Sequence, residues 1–105
     1  MSQLSNVTVN LNANIYFDGK VISRTIVLAD GQRKTLGVML PGEYAFTTDV
    51  AEIMTFSTGS VDVLLPNTRD WLSISAGMSF DVPGDSEFKL VVHSVSDYIG
   101  SYASA

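Results

Sequence analysis

The sequence predicts an all-β fold, and three observations lead to that prediction. Short runs in which apolar and polar residues alternate recur along the chain, as they do in half-buried strands. No segment keeps the three-to-four-residue apolar spacing of an amphipathic helix. Eight glycines and three prolines separate the runs. Strands this short and this regularly interrupted are typical of a sandwich or barrel, which covers or closes its sheet edges.

The length and apolar content indicate one folded domain. A chain of 105 residues is long enough for a single core, and its 46% hydrophobic content excludes a disordered chain. No run approaches the roughly 20 apolar residues of a membrane span. The first residues lack the basic and apolar regions of a signal peptide. We therefore expect a cytoplasmic protein without membrane contact.

The charge and the residue types exclude several kinds of partner and site. A net charge of −5, with only six Lys and Arg residues, argues against nucleic-acid binding. A single small anion such as phosphate remains compatible, because one or two cations and a few N–H groups can hold it. The absence of cysteine excludes disulfides, thiolate metal sites and a cysteine nucleophile.

The first third of the chain is predicted to hold an arm and a hairpin. Alternation over residues 7–12 predicts a first strand, and we expect residues 1–13 to form an N-terminal arm or accessory strand. Residues 14–105 are expected to form the main domain. The turn signals Asp18-Gly19 and Asp30-Gly31 bracket a long β-branched strand. The next strand is expected at Leu36. The two cations before it, Arg33 and Lys34, are expected either to bind an anion or to lie in solvent at the tip of a hairpin.

The stretch from Leu36 to Pro66 is the predicted centre of the ligand site. It carries three strand-like runs joined by short polar or Pro-Gly connections. In the middle run Glu52, Met54 and Phe56 fall on one face, because side chains alternate along a strand. A carboxylate in line with a thioether and a ring either stands in water at the end of the strand or lies at the lip of a cavity.

The last third of the chain is predicted to add four strands. They are expected near residues 71–74, 78–82, 88–93 and around Tyr98. His93 lies opposite the aromatic face of its strand, where we expect a surface or interface role. Several strands are apolar on both faces, which favours a second sheet or a homodimer interface.

Two spacings resemble the motifs of the cupin family. Glu52 and Gly59, with six residues between them, resemble the end of the first cupin motif, and Gly77 and Pro83, with five residues between them, resemble the start of the second. The resemblance implies a single-domain, cupin-type jelly-roll β-barrel. Where metal cupins carry histidines, this chain has Phe46, Thr48 and Phe88. A transition metal requires three or four suitable ligands, so the sequence predicts no metal and no other cofactor.

A closer resemblance is to the pyrimidine/purine nucleoside phosphorylase family of small single-domain cupins. It covers about residues 15 to 102. In that family the VPGxSEF string usually has a histidine where this chain has Asp85. The strings that carry the resemblance are Tyr16-Phe17-x-Gly19-Lys20-Val21, Gly37-Val38-Met39, Pro41-Gly42-Glu43-Tyr44-x-Phe46, Val63-Leu64-Leu65-Pro66, Asp70-Trp71 and Val82-Pro83-Gly84-x-Ser86-Glu87-Phe88.

The resemblance implies a metal-independent phosphorylase that cleaves purine and pyrimidine ribonucleosides with inorganic phosphate, giving a free base and ribose 1-phosphate. Nucleosides and phosphate are then the partners, and a homodimer is the expected assembly. Two alternatives stay open. One is a non-catalytic cupin module that binds a small molecule, and the other is a metal-dependent cupin enzyme, which the missing histidines disfavour.

The candidate site residues follow from what phosphorolysis requires. Phosphate needs cationic or hydroxyl partners, the sugar and the reacting bond need a carboxylate, and a base needs flat apolar contacts. Arg33 is the leading phosphate ligand because a guanidinium holds two oxygens at once. The aromatic candidates can equally serve the core, and Glu43 can simply decorate a turn. The full set is Glu43 and Glu52 as catalytic carboxylates, with Arg33, Lys20, Thr47, Thr48, Tyr44, Phe46, Phe88 and Met54 binding substrate.

Overall fold

The computed structural model describes residues 3–103, and within that range the regular secondary structure is almost entirely β-strand. Within the same range no helix has the length and apolar character needed to cross a membrane. The strands are β1 (Thr8–Val9), β2 (Asn14–Tyr16), β3 (Val21–Val27), β4 (Arg33–Met39), β5 (Gly42–Thr48), β6 (Glu52–Phe56), β7 (Ser60–Leu64), β8 (Leu72–Ser75), β9 (Ser79–Val82), β10 (Ser86–Val92) and β11 (Ser96–Tyr102), with a 3₁₀ turn at Phe17–Gly19.

The strands form two antiparallel sheets with the core between them. One sheet has seven strands in the order β1-β3-β4-β11-β6-β9, with β2 also paired to β3; the other has four in the order β5-β10-β7-β8. The prediction of an all-β, cupin-type fold is confirmed. The jelly roll is an open double-sheet sandwich in the described residues rather than a closed barrel. Each sheet can bury one face against the other without continuous strand pairing around the molecule.

Strict alternation explains which side chains reach the interior. On β6, Met54 and Phe56 are buried, whereas Ile53 faces out with 46% of its surface exposed. Phe56 lies between two aromatic neighbours, with ring centroids 6.2 Å from Phe80 and 6.0 Å from Tyr98. The face of Glu52, Met54 and Phe56 predicted from the sequence is therefore the inner face of the seven-stranded sheet.

The strand after the second turn begins earlier than predicted, at Arg33 instead of Leu36. Arg33 pairs with Val27 at the end of the β3–β4 hairpin. The residues before Arg33 form the whole turn, in which the Gln32 amide donates to Asp30 Oδ1 over 3.0 Å. Because strand pairing continues as far as Arg33, more backbone N–H and C=O groups are hydrogen-bonded than in a hairpin with an unpaired tip. Arg33 is therefore part of the sheet.

The two ends of the chain both join the seven-stranded sheet. β1 is only two residues long and pairs with β3 of its own chain, although the sequence predicts a strand over residues 7–12. β11 extends to Tyr102 and lies between β4 and β6. The division into an arm of residues 1–13 and a domain of 14–105 stays a prediction, and its outer limits lie outside the described residues.

We expect Phe56→Ala to lower the free energy of unfolding by about 3–5 kcal/mol, the usual cost of deleting a buried aromatic ring. Phe56 is fully buried between the sheets. The control is Ile53→Ala on the outer face of the same strand, which should cost well under half as much. Urea unfolding of both variants measures the difference. Equal losses would contradict the alternation of β6.

Candidate functional site

A cavity of about 420 Å³ lies between the two sheets. Its walls differ in chemistry. The seven-stranded sheet contributes mostly hydroxyl groups, one carboxyl group and one guanidinium, whereas the four-stranded sheet contributes aromatic rings and threonines. The lining residues include Tyr16, Ser23, Arg33, Thr35, Glu52, Tyr98 and Tyr102 on the first side and Phe46, Thr47, Thr48 and Phe88 on the second.

The polar wall is built where Gly100 leaves space on the central strand β11. Gly100 pairs with Thr35 on one side and with Met54 on the other. A Cβ at this position would lie 2.6 Å from Thr35 Oγ1, 2.8 Å from Glu52 Oε2 and 3.3 Å from the Tyr102 hydroxyl. Three polar oxygens therefore converge over the bare backbone. The Thr35 and Tyr102 hydroxyls are hydrogen-bonded at 3.1 Å.

A second glycine makes room for Tyr98 in the same way. Gly37 is directly opposite Tyr98, and a Cβ there would lie 2.5 Å from Tyr98 Cε1. The tyrosine ring crosses β4 at this point towards Ser23, which pairs with Gly37 from the other side. The ring therefore spans neighbouring strands and carries its hydroxyl to the cavity.

Glu52 is half-buried at this wall without an ionic partner. Among residues 3–103 the ion pair that forms joins His93 to Asp62, far from this carboxyl in the topology. Burial raises the pKa of Glu52 above its ordinary value, and hydrogen bonding from the Tyr102 hydroxyl offsets part of that rise. The site thus favours the protonated carboxyl more than water does.

The tyrosines beside Glu52 keep their protons. Burial raises the pKa of Tyr98 to about 12. Burial also raises the pKa of Tyr102, with Thr35 and Arg33 acting in the opposite direction and Glu52 reinforcing the rise. Both phenols are consequently neutral hydrogen-bond donors at neutral pH.

The apolar wall is formed by two rings on paired strands. Phe46 and Phe88 are cross-strand partners on β5 and β10, stacked with centroids 5.5 Å apart and planes inclined by 22°. Phe17 supports this wall from behind, because its ring meets Phe46 edge-on at 5.3 Å. Phe17 adopts φ 52°, a conformation that bulky residues rarely take. The backbone turn there also leads directly from Tyr16, which lines the cavity.

The structure brings seven of the ten predicted site residues to the cavity. Thr48 is among them, but its hydroxyl already donates to the Pro83 carbonyl at 2.7 Å and accepts from the Ser86 amide at 3.1 Å. Thr47 lies at the rim with an exposed side chain. The seven are Arg33, Phe46, Thr47, Thr48, Glu52, Met54 and Phe88.

The other three predicted residues lie elsewhere. Glu43 is exposed on the outer face of β5, because its parity is opposite to that of Phe46. Lys20 is exposed and does not line the cavity. Tyr44 is a core residue whose hydroxyl donates to the Leu40 carbonyl over 2.6 Å. We leave these three out of the proposed site.

Sequence reasoning missed the hydroxyl-bearing residues of the polar wall. The signal was present in the tail, where Tyr98, Gly100 and Tyr102 share one parity and therefore one face. The tail is polar enough to resemble a fraying end, which hid its place at the centre of a sheet. The other missed lining residues are Tyr16, Ser23, Thr35, Met39, Asp49 and Val50.

The described residues contain no group of three or more His, Cys, Asp or Glu side chains arranged to hold a metal ion. The chain's one histidine, His93, is exposed on the four-stranded sheet and contacts Asp62 at 2.9 Å. The cavity residues at the cupin histidine positions are Phe46, Thr48 and Phe88. Rings and a hydroxyl thus occupy the places where imidazoles would converge.

Comparison with known proteins identifies relatives over nearly the whole chain. The sequence profile of the pyrimidine/purine nucleoside phosphorylase family matches residues 11–102. A protein of that name from Hydrogenovibrio crunogenus is 58% identical over 102 residues, which cover 97% of this chain and 98% of the relative. A protein of the same name from a Sulfurovum species is 55% identical over 97% of this chain and 99% of its own.

Solved structures agree on the fold. A protein of unknown function from Acinetobacter sp. ADP1 superposes with a TM-score of 0.95 at 38% identity, covering 98% of this chain and 100% of its own. An RmlC-like cupin from Shewanella frigidimarina superposes with a TM-score of 0.71 at 15% identity, covering 100% and 96%. This second likeness concerns the fold alone.

We expect Glu52→Gln to unfold at a higher urea concentration than the parent protein at about pH 8. A carboxyl whose pKa is raised on folding contributes stability that is present below its ordinary pKa of 4.5 and lost as the pH rises through the raised value. The neutral amide removes that loss, so the two proteins should converge as the pH falls to about 4.

Urea unfolding at the two pH values measures this effect. Glu87→Gln, which changes an exposed carboxylate on the outer face of β10, is the control and should show no such gap. A Glu52→Gln protein less stable than the parent at the higher pH would mean that hydrogen bonds to the carboxylate outweigh its desolvation.

Proposed function

Because the chain belongs to the pyrimidine/purine nucleoside phosphorylase family, we propose that it cleaves purine and pyrimidine ribonucleosides with inorganic phosphate. The products are a free base and ribose 1-phosphate, so the reaction is a pentosyl transfer to phosphate. The observation that carries the proposal is the cavity with one cation and a hydroxyl-rich wall opposite stacked aromatic rings.

Arg33 is the proposed phosphate ligand. It lines the cavity from the start of β4, and no carboxylate forms an ion pair with it among the described residues. A guanidinium can bind two phosphate oxygens in one plane. Thr47, also predicted to bind phosphate, borders the cavity, but its side chain has the same outward parity as Glu43 and is exposed.

The sugar is proposed to lie over β11, between the phosphate and the base. The wall there presents the hydroxyls of Thr35, Tyr98 and Tyr102, which match the hydrogen-bonding groups of a ribose. Glu52 supplies the catalytic carboxyl of the site. Hydroxyl groups and one carboxyl suit a neutral sugar better than they suit a second anion.

The stacked pair Phe46 and Phe88 is the proposed contact for the base. Stacking accepts purines and pyrimidines alike, because every base presents a flat π face. Binding that relies on stacking more than on hydrogen bonds to base edges accounts for the broad specificity we propose. Tyr16 at the cavity mouth offers a further aromatic surface.

We also propose that the reaction requires no metal ion. The side chains at the cupin histidine positions cannot ligate a transition metal, and Glu52 by itself provides one ligand where three or four are needed. Electrostatic stabilisation then comes from Arg33 and the oriented hydroxyls.

We expect purified protein to release base from uridine and adenosine only when inorganic phosphate is present, with EDTA causing no loss. Arg33→Ala should raise the KM for phosphate by roughly 10- to 100-fold, because charge-assisted hydrogen bonds contribute about 1.5–3 kcal/mol. Arg69→Ala removes an exposed loop arginine and serves as the matched control. Initial rates at varied phosphate concentration measure both.

Two outcomes would count against these assignments. An unchanged KM for phosphate in Arg33→Ala would contradict the placement of the anion. Nucleoside binding without phosphate-dependent turnover would instead support the alternative from the sequence, a non-catalytic module that binds a small molecule.

A homodimer and a cytoplasmic location are further proposals. The outer face of the seven-stranded sheet exposes three apolar side chains on β3 and β4, namely Ile22, Leu36 and Val38. Ile22 and Val38 are direct cross-strand neighbours, so the apolar surface is continuous. An exposed apolar sheet face of this kind suits a contact with a second copy.

We expect light scattering to give the mass of a dimer, and Val38→Lys to shift it towards a monomer, since a buried unpaired charge opposes association. Val91→Lys, on the outer face of the other sheet, is the control. A dimer mass that Val38→Lys leaves unchanged would place the interface elsewhere.

A further inference from the structure

We propose that the Glu52 carboxyl is protonated when the substrate binds and donates that proton to the departing base. This inference rests on the proposed function and assigns one step of it. It gives Glu52 the role of general acid, in contrast to a carboxylate that binds the ribose hydroxyls or stabilises positive charge on the sugar.

The first support is the position of Glu52 relative to Arg33. On β4 and β11, Lys34 pairs with Ser101, so the next residues, Arg33 and Tyr102, lie opposite each other. Tyr102 in turn pairs with Glu52 on β6. The three residues form a row across β4, β11 and β6. Neighbouring strands are about 4.8 Å apart, so the backbones of Arg33 and Glu52 are separated by about 10 Å. That separation suits a ribose lying over Tyr102, with a phosphate at Arg33 and a base at Glu52.

The second support is what adjoins Glu52 on its own strand. Met54 follows on the same face of β6, is almost fully buried and lines the cavity together with Phe88. On β6, therefore, the carboxyl of Glu52 is followed on the same face by the apolar side chain of Met54. Asp49, the other carboxyl that lines the cavity, is exposed at the rim. Of the two carboxyls that line the cavity, Glu52 is the less exposed, and it is the one we assign to a base stacked on the apolar wall.

The third support is the environment of the carboxyl. It has no ion pair among the described residues, and its neighbours at Gly100 are the hydroxyls of Thr35 and Tyr102. Burial raises the pKa of Glu52, while the tyrosine beside it stays neutral. A carboxyl held mainly by neutral groups in a desolvated site retains its proton more readily than one in water.

The reaction step balances in protons and electrons with phosphate as the only co-reactant. A phosphate oxygen forms a bond to C1′ as the bond between C1′ and the base nitrogen breaks, and the electron pair of that bond goes to the base. Glu52 gives its proton to the base, at N7 of a purine or O2 of a pyrimidine, and becomes a carboxylate. The hydrogen phosphate ester loses its own proton after the new bond forms, and that proton restores the acid.

The test compares inosine with 7-methylinosine in Glu52→Gln. The two substrates differ by one methyl group, but the 7-methyl base is already quaternised at N7 and leaves without taking a proton. We expect kcat/KM for inosine to fall by about 10²–10⁴-fold, the usual contribution of a general acid. The fall for 7-methylinosine should be less than about tenfold.

A second activated substrate covers the case in which the methyl group does not fit the cavity. 4-Nitrophenyl β-D-ribofuranoside has a leaving group that departs as an anion, so it too should be spared in Glu52→Gln. Glu87→Gln serves as the control, because Glu87 is exposed on the outer face of β10. Retained turnover of the activated substrates also shows that the variant is folded.

Each outcome of these assays either supports or overturns the acid role of Glu52. Selective loss with inosine supports the acid role. An equal fall for inosine and both activated substrates overturns it and leaves Glu52 acting on the sugar, with the phosphorylase function intact. If the parent protein turns over no nucleoside in the presence of phosphate, the proposed phosphorylase function is wrong, and the inference is overturned with it.

Discussion

The close approach of polar side chains to the bare backbone of β11 is the constraint on which the site depends. At Gly100 a carboxyl and two hydroxyls occupy space that any larger residue would fill, and at Gly37 a tyrosine ring does the same on the next strand. Polar groups can be buried in this way where they have hydrogen-bond partners, as the Thr35 and Tyr102 hydroxyls have in each other. Among the described residues, no buried side-chain nitrogen or oxygen lacks a hydrogen bond. The glycines therefore decide where polar chemistry can exist inside the sandwich.

The two sheets divide the work of the cavity between them. The seven-stranded sheet holds Arg33, the carboxyl and most of the hydroxyls on β4, β6 and β11, with further hydroxyls on β2 and β3, while the four-stranded sheet supplies the stacked rings of Phe46 and Phe88. A substrate that is an anion at one end, a polyol in the middle and a flat base at the other end matches this arrangement. The scaffold is that of a cupin, but the positions that resemble the metal-binding histidines of other cupins hold two rings of the apolar wall and the hydroxyl of Thr48.

Two strained residues directly follow Tyr16, which lines the same cavity. Phe17 and Asp18 take φ values of 52° and 56° in succession, which are unfavourable for non-glycine residues. The contacts of the Phe17 ring with Tyr44 at 4.9 Å and with Phe46 hold this turn in place. Tyr44, a base-stacking candidate from the sequence, thus has a supporting role behind the wall. Its parity is correct for the interior, but its hydroxyl is bound to Leu40.

The sequence by itself determined the all-β class, the succession of strands along the chain and the inner face of β6. Alternation and turn residues are local properties, and they act before any distant contact forms. It also singled out Arg33, because a guanidinium can hold two phosphate oxygens, and Glu52, because it shares a strand face with Met54 and Phe56. Only the tertiary structure brought Tyr98, Gly100 and Tyr102 between those two residues, because β11 pairs with strands more than forty residues earlier in the chain. Likewise Glu43 and Lys20 resemble site residues in the sequence, and only packing shows that their side chains lie outside the cavity. Strand pairing over such separations depends on how whole sheets bury their faces, which no local pattern records.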